Sequence, residues 1–251
     1  MIQRLVGVAV KKPQTFASLV RSRFGSRKSV RRFRLDGLDV RVRSPSVVPQ
    51  YMEIFDGCGY LAPGAPKRIL DLGANVGLAS LFFARQYPDA SIDAIECDPE
   101  IYGLLTANLQ ANGATNVTPH RFGAAKENGE MAFAPNGIGG GRLAEGGSVM
   151  VPTLDMKEWL AAQEPYDLVK IDIEGAERTL FPYVADEVLQ ARYIVMEYHS
   201  EVGEAQNLDE ILALLRAKGF RYYIKTVDHR AKPLFGCSAR MDNQLNVYAY
   251  R

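Results

Sequence analysis

Cysteine is scarce. The 251 residues hold three, Cys58, Cys97 and Cys237, widely spaced and odd in number. That excludes a disulfide framework and a cysteine-built metal knot, and it makes a reducing cytoplasm the default setting. Long apolar runs are missing too. No stretch approaches the ~20 residues that cross a bilayer. Residues 5–10 are too short for the core of a signal peptide, and Lys11 and Lys12 follow them with no small-residue cleavage pattern. Net charge is nearly absent at +1, yet it is unevenly spread. Residues 1–43 hold 12 Lys and Arg against 2 acids, a balance of +10, and the remainder is at −9. Such an arm either meets an anionic or membrane surface or is a solvated face docked on its own acidic body. It lacks interleaved stacking aromatics, so nucleic acid is not an expected partner.

With 47% hydrophobic residues the chain can bury a sizeable core. Its length suits one large domain with a small addition: a basic extension over residues 1–49 and a main body over 50–251. In the extension, Phe16, Leu19, Val20 and Phe24 stand at helical spacing. This amphipathic helix either lies on a membrane or packs on the body. Residues 30–43 alternate apolar and polar on both sides of Asp36-Gly37, the pattern of a hairpin. Val47-Val48 between Pro45 and Pro49 is too short for a strand, and residues 50–55 read as a helix.

The chain is organised around Arg68-Ile-Leu-Asp-Leu-Gly-Ala-Asn-Val-Gly-Leu78. Ile69, Leu70 and Leu72 form the short apolar run of a strand buried on both faces. Gly73 and Gly77 allow a tight turn and close backbone approach, and residues 78–85 read as helix. In an open parallel sheet such a turn is where a nucleotide-like ligand lies. The spacing is Gly-x-Asn-x-Gly, so a pyrophosphate meets Asn75 where it favours glycine, and Asp71 repels it. An acid there suits a ligand with a cationic centre.

A second strand over residues 90–96 ends in Glu96, 19 positions past Gly77. An acid at about that distance is placed to bind ribose hydroxyls. Asp98 reads as the N-cap of a helix that opens with Pro99. A third strand covers 117–122, and Gly123 and Ala124 follow with room for an adenine. Residues 134–147 are too polar and glycine-rich for a regular element and read as a mobile loop, either a lid or a tip without a role. Further strands are expected near 150–154, 168–171, 192–199, 220–227 and 244–250, the last antiparallel, with helices over 155–163, 176–184 and 208–218. Lys170, Asp172 and Glu174 crowd one strand end, and Glu197 and His199 point to one side of the next.

Four stretches together resemble the FkbM-type methyltransferases of the class I S-adenosylmethionine-dependent superfamily. They are Ile-Leu-Asp-Leu-Gly-Ala-Asn-Val-Gly at 69–77, Ile-Glu-Cys-Asp-Pro at 95–99, Leu-Val-Lys-Ile-Asp-Ile-Glu-Gly-Ala-Glu at 168–177 and Met-Glu-Tyr-His at 196–199. The likeness covers about residues 50–250 in the same order. It implies a doubly wound, mostly parallel seven-stranded Rossmann-like α/β sheet with helices on both faces. It implies S-adenosylmethionine as cofactor and methyl transfer to a hydroxyl of a sugar, glycolipid or polyketide-like acceptor. Cofactor contacts are expected at Asp71, Gly73, Ala74, Asn75, Gly77, Leu78, Glu96, Cys97, Gly123, Ala124 and Asp172.

Methyl transfer from a sulfonium is an in-line displacement in which positioning supplies much of the rate. A hydroxyl must also lose its proton, so a base or a metal is expected. The catalytic candidates are His199, Asp172, Lys170 and Glu174. His199, with a reference pKa near ~6.5, is the natural base. Alternatively Asp172, Glu197 and His199 hold a divalent cation, or Glu197 and His199 form a structural pair. Two rival readings remain: a non-catalytic binding module on the same fold at a membrane surface, and a nucleotide-dependent oxidoreductase, which Asn75 disfavours.

Overall fold

The computed structural model of the chain describes residues 30–43, 50–57, 59–135, 141–144, 146–227 and 241–251. The stretch 14–24, Val47-Val48, Cys58, Cys237 and the middle of the glycine-rich loop lie outside them. Among the described residues, no helix is long and apolar enough to cross a membrane.

The hairpin forms as the alternation predicts. β1 (Arg31–Leu35) and β2 (Leu38–Val42) pair antiparallel. Asp36 and Gly37 both take positive φ, the turn whose twist matches that of the strands. Phe33, Leu35, Val40 and Val42 are buried in the main core, so this hairpin packs on the body. Asn108, fully buried, fastens it: its amide donates to the carbonyls of Arg41 and Val76 and accepts the Arg41 N–H. The helix expected over 50–55 is instead a π-helical turn, Met52–Asp56, closed by the Gly57 N–H on the Met52 carbonyl.

The body contains β3 (Arg68–Leu72), α1 (Leu78–Gln86), β4 (Ser91–Ile95), α2 (Pro99–Ala111) and β5 (Val117–His120). Later come β10 (Leu168–Ile171), α4 (Glu177–Tyr183), α5 (Ala185–Val188), β11 (Tyr193–Glu201), α6 (Leu208–Ala217), β12 (Arg221–Thr226) and β13 (Met241–Tyr250). The seven strands order as β12-β13-β11-β10-β3-β4-β5. All run parallel except β13, antiparallel to both neighbours. Alternate side chains feed two cores. Ile69 and Ile92 face α1 and α2, whereas Leu70, Leu72 and Ile194 face α4 and α6.

Within the loop expected over 134–147, the described residues Ala134 and Arg142–Leu143 are strand, while 136–140 and 145 lie outside the described residues. β6 (Gly123–Ala125), β7 (Gly129–Ala134), β8 (Arg142–Leu143) and β9 (Val149–Asp155) form a second sheet, ordered β6-β9-β7-β8, and α3 (Met156–Ala161) follows it. Two of its glycines, Gly141 and Gly147, serve packing. A Cβ on Gly141 would stand 2.4 Å from the buried Phe133 ring, and one on Gly147 2.4 Å from the Phe133 backbone. Among the described residues, this sheet is also where Gly123 and Ala124 belong, rather than to the end of the third strand.

The chain enters the large sheet at β3, builds outward to β5, and returns on the other side of β3 as β10. Ligands of open α/β sheets bind where the order reverses in this way. The turn after β3 presses against the end of β10. Gly73 has φ +81°, and a Cβ on it would lie 1.7 Å from the Asp172 carbonyl oxygen. Gly73→Ala is therefore expected to cost about 3 kcal/mol or more, at the severe end of single substitutions. Gly37, also left-handed but with nothing within 4 Å of a Cβ, should cost only about 1 kcal/mol on the same change. Chemical denaturation of the two variants checks this; equal losses would refute the steric account.

Candidate active site

At the switch point the backbone donors of the β3–α1 turn are already engaged. The N–H groups of Gly73 and Ala74 donate to the Ile95 carbonyl at 3.0 and 2.8 Å. Asn75, left-handed at φ 52°, donates its N–H to Glu96 Oε2 at 2.9 Å. Glu96 Oε1 accepts the Asp98 N–H at 2.8 Å. Phosphate sites use free N–H groups. Here three successive ones point inward to protein oxygens, so the turn is not built for a pyrophosphate. Burial pushes the Glu96 carboxyl up to about 7, and its two backbone donors pull against that rise.

A cleft opens above this turn, with about 650 Å³ of empty space including its open mouth. Glu96, Asp98, Phe122, Gly123 and Ala124 line one end, and Asp172, Ile173 and Glu174 the other. Of the expected cofactor residues, Gly73, Asn75, Glu96, Cys97, Gly123, Ala124 and Asp172 meet in this lining. Asp71, Ala74, Gly77 and Leu78 are buried and sit outside it. Asp71 supports the floor: it accepts from Ser80 Oγ at 2.6 Å and pairs with Lys170 at 3.2 Å. Asp98 caps α2 as expected and also reaches the lining. Cys97 has its thiol pushed up, first by burial and then by Glu96 and Asp98.

Strand period and register gather the charges. Lys170 lies beside Asp71 in the β10–β3 pairing, and Asp172 follows on the same face. The Lys170 ammonium is buried, donates to the Gly73 carbonyl at 2.6 Å, and stands 3.2 Å from Asp71 and 3.5 Å from Asp172. Burial alone would lower its pKa, but the two carboxylates outweigh burial and raise it. Expected among the catalytic candidates, Lys170 is thus committed as a permanent cation that joins strand end to turn. Burial lifts Asp172 to about 7, with Lys170 and His199 pulling down and Glu197 and Glu174 pushing up. Glu174 holds a left-handed φ of 55° at the mouth of the cleft.

His199 is buried. Its Nδ1 lies 2.9 Å from Glu177 Oε1, and its Nε2 is 3.5 Å from Glu197 Oε1. Burial lowers its proton affinity, but Glu177 and Glu197 overcome that and raise the pKa to about 11. The two carboxylates favour the protonated ring. Glu197 itself is raised by burial and lowered by His199 and Gln244, and the lowering prevails. Glu177 is the residue that reading by spacing missed. It is fully buried in the first turn of α4, where a carboxylate suits the helix N-terminus.

The expected cation site is also rearranged. Asp172, Glu174 and His199, rather than Asp172, Glu197 and His199, offer ligand atoms all within 4.8 Å of one another. The Lys170 ammonium flanks Asp172, and His199 also lies between Glu177 and Glu197.

Residues 71–222 match the profile of the methyltransferase FkbM domain. The 31-O-demethyl-FK506 methyltransferase FkbM of Streptomyces tacrolimicus is 27% identical over 227 residues, covering 74% of this chain and 84% of that one. The hexuronic acid methyltransferase AglP of Haloferax volcanii is 26% identical over 164 residues, covering 60% of this chain and 67% of that one. Among solved structures, the methyltransferase FkbM of Methylobacillus flagellatus aligns with a TM-score of 0.54 at 15% identity, over 80% of this chain and 48% of that one. That likeness speaks for the fold, the class I methyltransferase architecture of the seven-stranded sheet. The matched residues contain the turn after β3, Glu96, the charged end of β10 and the Glu197–His199 pair, and the chain belongs to the FkbM methyltransferase family.

Proposed function

We propose that this methyltransferase uses S-adenosylmethionine to methylate a hydroxyl of a sugar, glycolipid or polyketide-like acceptor. The observation that carries the cofactor reading is the turn with its donors turned inward, between carboxylates at both ends of one cleft. A diol suits Glu96 and Asp98, an adenine suits Phe122, Gly123 and Ala124, and a cationic centre suits the Asp172 end. Two relatives, named for a hexuronic acid and for 31-O-demethyl-FK506, support an oxygen acceptor of this kind. When bound, the cofactor supplies a methyl on a sulfonium, so that an O–CH₃ bond forms as the S–CH₃ bond breaks and a neutral thioether leaves. The residues of the chain do the rest. Glu96 and Asp98 hold the ribose end, Lys170 fixes the turn against Asp172, and Asp172 accepts the proton of the attacking hydroxyl. Asp172 has this role because it is the carboxylate of the strand-end cluster that faces the cleft from the switch point, beside Glu174.

Glu96→Ala should weaken S-adenosylmethionine binding by about 1–3 kcal/mol, the scale of a charged hydrogen-bond acceptor. Calorimetry with unchanged affinity would refute the ribose assignment. Asp172→Asn should lower turnover about 10²–10⁴-fold, the range of a general base. Turnover is to be measured on an acceptor found by screening sugars, glycolipids and polyketide hydroxyls, and full activity in the variant would move the base elsewhere. Chelation is expected to leave turnover unchanged. Loss of activity restored by a divalent ion would instead make Asp172, Glu174 and His199 its ligands.

A further inference from the structure

The hairpin of β1 and β2 turns its charge away from the body. Phe33, Leu35, Val40 and Val42 bury one face in the core. The other face carries Arg32, Arg34, Asp39 and Arg41, and the three arginines are exposed. A basic hairpin on an acidic body could spend these charges on the carboxylates of the body. It does not. Arg32 pairs with Asp39 inside the hairpin. Arg34 and Arg41 make no ion pair among the described residues. Arg32 and Arg41 stand directly opposite across the strands, an arrangement that like charges disfavour. Packing gives no reason for it, since neither side chain is buried. Arg85 adds an exposed cation at the turn, donating to the Asp36 carbonyl at 3.0 Å.

The open end of the hairpin has a defined place. Arg31 pairs with Val42, so residue 30 stands beside Arg43. Arg43 bonds to Glu100 in the first turn of α2, and Asp98, the N-cap of that helix, lines the cleft. Residues 1–29 join the hairpin at this end. They hold seven Lys and Arg and no acid, with Phe16, Leu19, Val20 and Phe24 among them in sequence.

We propose that the outward face of the hairpin is a docking surface for an anionic lipid bilayer, which the protein meets peripherally beside the Asp98 end of its cleft. Lipid phosphates answer the like charges that the body leaves unanswered. Each Lys or Arg near such a surface raises partition about fivefold. Cations interspersed with apolar residues, as in the joining segment, suit a lipid interface. A single-stranded nucleic acid calls for stacking aromatics, and the outward face offers none. Docking of this kind does not depend on the methyl-transfer reading.

Cosedimentation of the full chain with phosphatidylcholine vesicles, with and without phosphatidylglycerol, tests this. Binding should require phosphatidylglycerol and fall as salt rises, because exposed charges are screened. Arg34→Gln combined with Arg41→Gln should lower partition about 25-fold, at about fivefold for each charge. Both side chains are exposed, so the pair should unfold at the temperature of the unaltered protein. Arg216→Gln combined with Arg221→Gln removes the same charge from α6 and β12 and should change partition little. No binding to phosphatidylglycerol vesicles, or an equal loss in this second pair, would overturn the proposal. Binding that the first pair leaves undiminished would place the contact in residues 1–29 and overturn it as well. So would tighter binding to a duplex oligonucleotide at the same salt, which would make the face a nucleic-acid surface.

Discussion

A single buried ammonium holds the site in register. Lys170 has nowhere to place its charge except among the Gly73 carbonyl, Asp71 and Asp172. Each partner belongs to a different piece: the turn after β3, the strand β3 itself and the end of β10. Removing an ion from water costs several kcal/mol, and that cost is met only while all three partners stay in reach. The turn therefore cannot lift away from β10 without stranding a charge. The same contact explains why position 73 has no room for a side chain, since the turn is drawn down onto the Asp172 carbonyl.

From this tie the rest of the site follows by strand geometry. Side chains two apart share a face, so Lys170 on β10 with Asp172 just past its end, and Glu197 and His199 on β11, all turn toward the side where Asp71 lies. Five carboxylates, Asp71, Asp172, Glu174, Glu177 and Glu197, gather around one ammonium and one imidazole. The excess of negative charge suits a ligand that brings a positive centre. It also drives the titrations apart: the two bases become firm cations, and Asp172 is raised into the neutral range. Acid and base roles in active sites arise from such separations.

The second sheet shapes the other end of the cleft. Gly123 and Ala124 leave the large sheet after β5 to pair with β9, and Phe133, Arg142 and Leu143 from β7 and β8 join them in the lining. Arg142 bonds to Glu201 at the end of β11, which fastens this sheet to the strand that carries His199. The wall that this sheet forms over the cleft and the charged strand ends are thereby one structure.

Local chemistry was readable in the residues. The apolar run at 69–72 and the glycines after it predict strand and turn, the alternation about Asp36-Gly37 predicts the hairpin, and Asp98-Pro99 predicts the start of α2; each forms as read. Glu96 and the crowding of charge after β10 and β11 also stood out, because charge at the end of a buried strand has no packing reason. Contacts between distant segments were not readable. Which carboxylate meets His199 depends on α4 folding back so that Glu177, 22 residues earlier, reaches its ring. That Lys170 is a staple depends on the pairing of β10 with β3, 97 residues from its Gly73 partner. Around β8, Gly141 and Gly147 serve close packing on Phe133, which spacing alone does not reveal. The sequence by itself determined the elements and the inventory of charges, since those depend on neighbours along the chain. Only the tertiary structure decided which charges neutralise one another, because register and burial set the distances and the dielectric on which every such pairing depends.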